Sequence, residues 1–205
     1  GIRSGNLDEP WPEEGFRREI TQLATWHYAP TQHCVDNLSS DGIHEAQIRL
    51  TGNSVVSALQ RYANGLDRVY ANRVANPPES YLVMTLHRRE WLASIDWRWF
   101  RTALYAQCYE MPERTIVWPM HPAVAPHWPT DETPPPNLQL RTPEPYEHMI
   151  NLLLRCHGLI TDSGGLVEEA CTLGIPTAIL RNSNDRPEAV SAGIAKEFSP
   201  TDLES

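Results

Sequence analysis

The chain has 205 residues, of which 40% are hydrophobic and 21% charged, a composition typical of folded globular proteins and not of disordered ones. Its formal net charge of -9 gives no basic surface that would favour nucleic acid or an anionic membrane as a partner. No apolar run approaches the roughly 18 residues of a membrane span, and four widely separated cysteines predict neither a zinc site nor a disulfide framework. We therefore expect reduced cysteines in a cytoplasmic protein, with no metal.

The two ends of the chain predict that it is part of a longer protein. Residues 1–15 contain no run that would form a strand, and Ser199 followed by Pro200 is typical of a helix start with almost no chain after it. A helix of one turn does not sustain itself. We therefore expect sequence before Gly1 and after Ser205, the alternative being flexible natural ends around a complete small domain.

The first part of the chain contains three predicted elements and then a break. The spacing of apolar residues predicts a helix over Thr31–Ser40, a strand over Gln47–Leu50 and a helix over Ser54–Ala63. The sequence Ala75–Pro78 then interrupts the pattern with two prolines, which predicts a linker between two domains.

After this linker the pattern alternates between short apolar strands and helices. The predicted strands are Tyr81–Leu86, Thr115–Trp118, Leu138–Arg141, Gly158–Thr161 and Thr177–Leu180, and the predicted helices are Trp97–Tyr109, Tyr146–Cys156, Gly164–Leu173 and Pro187–Ala192. Nine of the eighteen prolines fall between Pro119 and Pro145, which predicts a long surface loop there. This alternation is typical of an α/β fold with a doubly wound parallel sheet. We expect two domains, residues 1–74 and 75–205.

The strongest local motif is the sequence LITDSGGLVEEACTLGIP at residues 159–176. A predicted buried strand leads into Ser163 and Gly164-Gly165, and a helix begins at once. Two glycines let a ligand approach the backbone closely, and the first amides of a helix favour an anion such as phosphate. Glu169 lies near this helix start, where a carboxylate can accept hydrogen bonds from a ribose diol. The alternative is an ordinary strand-to-helix turn capped by Ser163.

A second motif is the sequence Asp185-Arg186-Pro187-Glu188, which opens the last predicted helix. An arginine beside a helix start would reinforce a phosphate site through charge-assisted hydrogen bonds. Capping explains Asp185 and Pro187 without any ligand, but it explains Arg186 less readily. We therefore take Arg186 as a candidate anion-binding residue.

Two histidines follow predicted strands at the edge of the sheet where α/β proteins bind ligands. His87 comes directly after the strand Tyr81–Leu86, with Arg88 beside it, and His121 follows the strand Thr115–Trp118. Histidine can act as an acid, a base or a hydrogen-bond donor to phosphate near neutral pH. The alternative for His87 and Arg88 is a solvated basic turn.

Two adjacent carboxylates, Glu13 and Glu14, follow the rigid sequence Pro10-Trp11-Pro12. Neighbouring side chains on a helix point about 100° apart. We therefore expect one of these carboxylates to face a cleft and the other to face water.

Taken together, these motifs resemble the non-hydrolysing UDP-N-acetylglucosamine 2-epimerase family, in the same order and over essentially the whole chain. The segments that carry the resemblance are Gly1–Asn6 with Pro10–Glu14, Thr51–Ser54, His87–Glu90, Thr161–Glu169 and Arg181–Glu188. One such motif would be weak evidence for the family, whereas five motifs in the family's order are specific evidence for it. Leu86 stands where the family has a glycine before the histidine, which leaves the approach of this loop to phosphate open.

The resemblance implies two Rossmann-like domains in a GT-B-like arrangement, of which this chain would hold the end of the first and most of the second, UDP-binding one. It implies that a catalytic aspartate and a glutamate lie upstream of Gly1, so that the chain alone would not epimerise its substrate. By position, Glu13 resembles a catalytic carboxylate and His87 the active-site histidine. The residues that resemble the UDP and substrate site are Ser163, Gly164, Gly165, Glu169, Arg186, Met149, Arg88 and His121.

The reaction that the resemblance implies is the interconversion of UDP-GlcNAc and UDP-ManNAc for surface polysaccharide synthesis. It proceeds by elimination and re-addition of UDP, needs no cofactor or metal, and is carried out by a homodimer. Two alternatives stay open: a hydrolysing or modified-sugar epimerase, and a non-catalytic UDP-binding module.

Overall fold

A computed structural model describes residues 1–63 and 78–199, which fold as two compact units. Among these residues, the first unit comprises 1–63 together with Ser183–Glu188, and the second comprises 78–182 and 189–199. The predicted boundary between residues 74 and 75 and the predicted helix start at Pro200 lie outside the described residues. No helix within the described ranges is long and apolar enough to span a bilayer.

The first unit is built on a pair of short parallel strands. Its elements are α1 (Glu13–Leu23), β1 (His27–Ala29), α2 (Gln32–Ser40), a 3-10 turn (Glu45–Gln47), β2 (Ile48–Leu50) and α3 (Ser54–Ala63). The side chain of Thr31 caps α2 by accepting a hydrogen bond from the Cys34 amide. Cys34 and Leu38 of α2 pack on Ala29 and Ile48, so α2 covers one face of the strand pair.

The second unit is an α/β domain with an all-parallel sheet. Its elements are β3 (Tyr81–Thr85), α4 (Arg89–Ser94), α5 (Trp97–Glu110), β4 (Thr115–Pro119), β5 (Leu138–Arg141), α6 (Tyr146–Arg155), β6 (Gly158–Thr161), α7 (Gly164–Leu173), β7 (Thr177–Leu180) and β8 (Ala195–Phe198). One more helix, α8 (Pro187–Ser191), spans the residues at which the chain passes from the first unit to the second. The predicted parallel α/β fold is confirmed, and each predicted element is present to within about two residues.

The strand order of the second sheet is β5-β4-β3-β6-β7-β8, with β3 and β6 at its centre. From β3 the chain moves outward through β4 to β5, then returns to the other side of β3 and moves outward again. The order therefore reverses between β3 and β6, where Thr85 lies opposite Thr161. The crevice beyond the carboxyl ends of the strands at such a reversal is where open α/β sheets bind ligands.

The proline-rich segment between β4 and β5 is anchored by aromatic packing and by a buried arginine. Trp128 packs edge-on against Trp118 of β4, with ring centroids 4.9 Å apart. Arg101 of α5 is 3% exposed and forms ion pairs with Asp131 and Glu132 of the loop. This anchoring fixes the long loop that starts just after β4.

Asn137 connects the end of this loop to the turn between α5 and β4. Its side-chain amide donates to the carbonyls of Cys108, Met111 and Arg114 at 2.8–3.0 Å. We expect Asn137→Ala to lower the free energy of unfolding by about 1–3 kcal/mol, because half-buried carbonyls lose their donor. Denaturant titration measures this loss. The control is Asn182→Ala, an exposed position at which we expect a change below about 0.5 kcal/mol.

Candidate functional site

A cavity of about 230 Å³ lies at the carboxyl ends of β3, β4 and β6. It is lined by Thr85, Leu86, His87, Pro119, His121, Pro143, Glu144, Met149, Ser163 and Leu166. Four of the predicted site residues thus come together here, although they are separated by up to 76 positions in the chain. A larger cavity of about 500 Å³ lies between α5 and the sheet, but its lining is apolar apart from Gln107 and offers few groups to orient a polar ligand.

The turn after β6 presents the start of α7 to the smaller cavity. The Ser163 hydroxyl caps α7 by accepting from the Leu166 amide at 3.4 Å, and the Ser163 amide donates to the Thr161 hydroxyl at 3.0 Å. α7 ends at Gly174, which has the left-handed conformation (φ 70°) that a helix C-terminus favours. The turn therefore connects the buried strand β6 directly to the start of α7.

Gly165, in the first turn of α7, is not required by the fold. A Cβ atom at this position would meet no atom within 4 Å, and its backbone φ lies outside the left-handed region. Neither packing nor backbone conformation therefore explains a glycine here. A glycine here fits a ligand that approaches the backbone at the start of α7, because an anion bound at a helix start needs such an approach.

Asp162, which precedes this turn, connects it to the loop after β3. The side chain is fully buried, and its Oδ2 accepts from the backbone amides of His87 and Arg88 at 2.8 and 2.7 Å. Its Oδ1 lies 2.8 Å from His87 Nδ1. Burial by itself would raise the pKa of the Asp162 carboxyl, but these hydrogen bonds hold that pKa below its usual range. Asp162 is therefore an ionised acceptor that fixes the His87 ring beside the cavity.

The backbone carbonyl of Asp162 holds two arginine side chains. Arg88 Nε donates to this oxygen at 2.8 Å, and Arg181 Nε donates to it at 2.7 Å. Arg88, predicted to bind substrate, thus contacts the turn before α7. Leu86 is 1% exposed and packs in the main apolar cluster of the unit while also lining the cavity.

His121 lies on the opposite side of the cavity from the turn after β6. Its ring centroid is 5.6 Å from that of His87, and its Nδ1 accepts a hydrogen bond from the Ala123 amide at 3.1 Å. Since an accepting Nδ1 carries no hydrogen, the neutral His121 ring carries it on Nε2. The two imidazoles therefore place two polar groups on one cavity.

Met149 and Glu144 also line the cavity. Met149 was predicted from the resemblance, whereas Glu144 was not predicted. Its carboxylate pairs with His148 Nδ1 at 3.1 Å and lies 3.9 Å from the Arg141 guanidinium. Glu144 follows a proline in a polar segment, so neither hydrophobic periodicity nor a motif indicated it.

Glu169 lies further along α7 and is 6% exposed. Burial raises the pKa of its carboxyl, and a hydrogen bond with the Tyr146 hydroxyl offsets part of that rise. Burial and the Glu169 charge in turn raise the pKa of Tyr146 to about 12. Tyr146, at the start of α6, is a second residue that the sequence did not indicate, and it holds the Glu169 carboxylate in place.

The two other predicted site residues, Glu13 and Arg186, belong to the first unit. Glu13 is exposed, whereas Glu14 is fully buried, accepts from the Ser4 amide at 3.1 Å and pairs with arginines of α1. The prediction that one of the two glutamates faces water agrees with the structure, whereas the other, Glu14, lies in buried ion pairs and faces no cleft of the described first unit. The buried one serves the packing of α1.

Arg186 is tied to the helix that carries Glu13. Its guanidinium lies 3.1 Å from the Asp185 carboxylate, which also pairs with Arg17 of α1 at 3.0 Å. A second contact joins the same segments, because the Thr31 hydroxyl donates to Glu188 at 2.6 Å. Within the described residues of both units, no group of three or more His, Cys, Asp or Glu side chains could hold a metal ion.

Comparison with known proteins gives one family. The family model for UDP-N-acetylglucosamine 2-epimerase matches residues 1–203. The UDP-N-acetylglucosamine 2-epimerase of Campylobacter jejuni is 34% identical over 209 residues, covering 96% of this chain and 54% of the relative. That of Escherichia coli K12 is 31% identical over 209 residues, covering 96% of this chain and 54% of the relative.

Two solved structures have the same fold. The UDP-GlcNAc 2-epimerase of Neisseria meningitidis bound to UDP-GlcNAc superposes with a TM-score of 0.83 at 28% identity, covering 99% of this chain and 57% of that one. The enzyme of Methanocaldococcus jannaschii in complex with UDP-GlcNAc and UDP gives a TM-score of 0.79 at 26% identity, covering 97% and 56%. The chain spans about half the length of these relatives. The fold, the site motifs and the family match agree: the chain belongs to the UDP-N-acetylglucosamine 2-epimerase family.

Proposed function

We propose that the protein interconverts UDP-GlcNAc and UDP-ManNAc, and that the second unit of this chain binds the UDP part of the substrate. The observation that carries the proposal is the cavity at the strand-order reversal, where Ser163 and Leu166 at the start of α7 and two histidines line one space. A helix start beside cationic or hydrogen-donating side chains is suited to a diphosphate.

Each part of the nucleotide has a candidate partner in the second unit. The diphosphate would lie against the amides that follow Ser163, with His87 beside it. Glu169, beside Tyr146, would accept hydrogen bonds from the two ribose hydroxyls, since a carboxylate has acceptor sites for both. Met149, which lines the cavity, would contact the uracil ring.

The reaction requires that a diphosphate leave and return. Removal of the C2 proton of the sugar moves that electron pair into a C1–C2 double bond, while the C1–oxygen bond breaks and its electrons leave with UDP. The product is 2-acetamidoglucal, to which UDP adds back after reprotonation of C2 on the other face. Because this C2 proton is weakly acidic, the step depends on stabilising the departing diphosphate, which is the role we give to the α7 start and His87. The anion-binding role expected of Arg186, which belongs to the first unit, stays a prediction. The role of catalytic carboxylate that the resemblance gives to Glu13, on α1 of the first unit, stays a prediction.

Product analysis tests the proposal on a protein that includes this chain. With UDP-GlcNAc in deuterated water, proton NMR should show UDP-ManNAc and deuterium at C2 of the sugar. Release of free ManNAc together with UDP would instead indicate a hydrolysing enzyme. UDP binding without exchange at C2 would favour a non-catalytic UDP-binding module. The homodimer and the cytoplasmic location expected above stay predictions.

A further inference from the structure

We propose that Asp162 is a positioning residue for His87: it fixes the hydrogen of the neutral imidazole on Nδ1 and thereby makes Nε2 the ring atom that serves the cavity. The inference rests on the proposed function for its consequence in the reaction, but its structural part can be tested without any nucleotide. Asp162 does not line the cavity, and it acts through His87.

The short distances around the Asp162 carboxylate favour one arrangement of hydrogens. The two backbone amides of His87 and Arg88 both donate to Oδ2 of Asp162, so this oxygen is an acceptor. Oδ1 faces His87 Nδ1 at 2.8 Å. An ionised carboxylate carries no hydrogen, so the hydrogen between Oδ1 and Nδ1 belongs to the ring. The hydrogen bond made by one ring nitrogen sets which form of the imidazole is present.

The pairing of β3 with β6 brings Asp162 and His87 together. Asp162 follows β6 and His87 follows β3 by two residues, and the two strands are paired so that Thr85 lies opposite Thr161. The hydroxyls of this threonine pair lie 2.7 Å apart directly before the two loops. Both partners of the carboxylate, ring and backbone, therefore move with the same strand end, and the His87 ring is held in one orientation.

This arrangement suits a residue that must assist the departure and return of a diphosphate. A ring whose Nδ1 is occupied by a buried carboxylate can take up a proton at Nε2 and become a cation that the same carboxylate stabilises. It can then donate that proton or hydrogen bond to a phosphate oxygen and recover it. His121 differs, because its Nδ1 accepts a hydrogen bond from the Ala123 backbone amide and so carries no hydrogen in the neutral ring.

The first test is the nitrogen-15 NMR spectrum of the imidazoles in this chain, without nucleotide. The pH is raised until the His87 signals are those of a neutral ring, and His87→Ala identifies which signals they are. We expect the hydrogen on Nδ1. A neutral ring with its hydrogen on Nε2 would overturn the proposal, and this measurement needs no variant of Asp162.

The second test is Asp162→Asn, which keeps the shape of the side chain. The asparagine oxygen must face the two backbone amides, so its NH2 group faces Nδ1 and the neutral ring must carry its hydrogen on Nε2 instead. We expect this change in the spectrum, together with a loss of UDP affinity of about tenfold, the size expected for a lost charge-assisted contact. An unchanged ring form in a folded Asp162→Asn variant would contradict the proposal.

A double-mutant cycle separates positioning from general damage to the turn. If Asp162 acts through His87, Asp162→Asn should change the UDP affinity less than about twofold when His87 is already alanine. If Asp162→Asn lowers the UDP affinity equally in the presence and in the absence of the His87 ring, Asp162 supports only the turn, and the proposal is overturned. Failure of the unmodified chain to bind UDP would contradict the proposed function, while the ring form would still decide the role of Asp162.

Discussion

Gly165→Val is expected to abolish UDP binding, with a loss of affinity of more than about 100-fold. The branched side chain would fill the space in front of the first amides of α7, where the diphosphate is proposed to lie, and several charge-assisted hydrogen bonds would be lost together. The change should not disturb the fold, because a Cβ at this position meets no atom within 4 Å. Valine is also no worse a helix former than glycine. Isothermal titration calorimetry with UDP measures the loss.

The matched control for this prediction is Gly165→Ala. A single methyl group occupies only part of the vacant space, so we expect a smaller loss of affinity than for valine. Circular dichroism and the melting temperature should be close to those of the unmodified chain for both variants. Full affinity in a folded Gly165→Val variant would mean that no ligand approaches the start of α7.

His87→Ala is expected to lower turnover by about 100-fold or more in an active protein that includes this chain, as loss of a positioned proton donor or oxyanion contact does. The ring is held by the buried Asp162 at 2.8 Å and lines the cavity, so its removal empties the place beside the proposed diphosphate. The measurement is the rate of UDP-ManNAc formation in a coupled assay.

The control for the His87 prediction is His157→Ala. His157 is exposed, precedes β6 at the opposite end of the strand and lines no part of the site, so its replacement should leave turnover unchanged. A loss below about threefold in His87→Ala would return His87 to the alternative of a solvated basic turn.

The architecture of the second unit could be predicted from the sequence because its strands are short apolar runs separated by strong helix and turn signals. The strand β8 was missed, since two of its four residues are Lys196 and Glu197, as is common in an edge strand. The strand β1 was missed because its three residues, His27–Ala29, are too few to show a period. Short or charged elements depend on their neighbours more than on their own sequence.

Single residues of the candidate site could be predicted from the sequence, but the contacts between them could not. His87 and Ser163 were found because each directly follows an apolar strand. Asp162, which connects them, was recognised in the sequence only as one residue of a glycine-containing turn. Its contact with His87 could not be predicted, because the two residues lie 75 positions apart. That contact requires β3 and β6 to be neighbours in the sheet. The order of strands depends on how the chain crosses between them, which the pattern of apolar residues does not reveal. Tyr146 was missed for the same reason, since its partner Glu169 lies on another helix. Glu144 was missed although its partners Arg141 and His148 are close in sequence, because no motif marks a glutamate in that polar segment.

A crystal structure of the chain with UDP tests the central claim most directly. The account predicts the diphosphate at the start of α7, within hydrogen-bond distance of the amides after Ser163 and of His87 Nε2, with the ribose hydroxyls on Glu169. The uracil should lie beside Met149. UDP bound in the apolar cavity between α5 and the sheet, or a diphosphate that leaves the Gly165 space empty, would contradict the account.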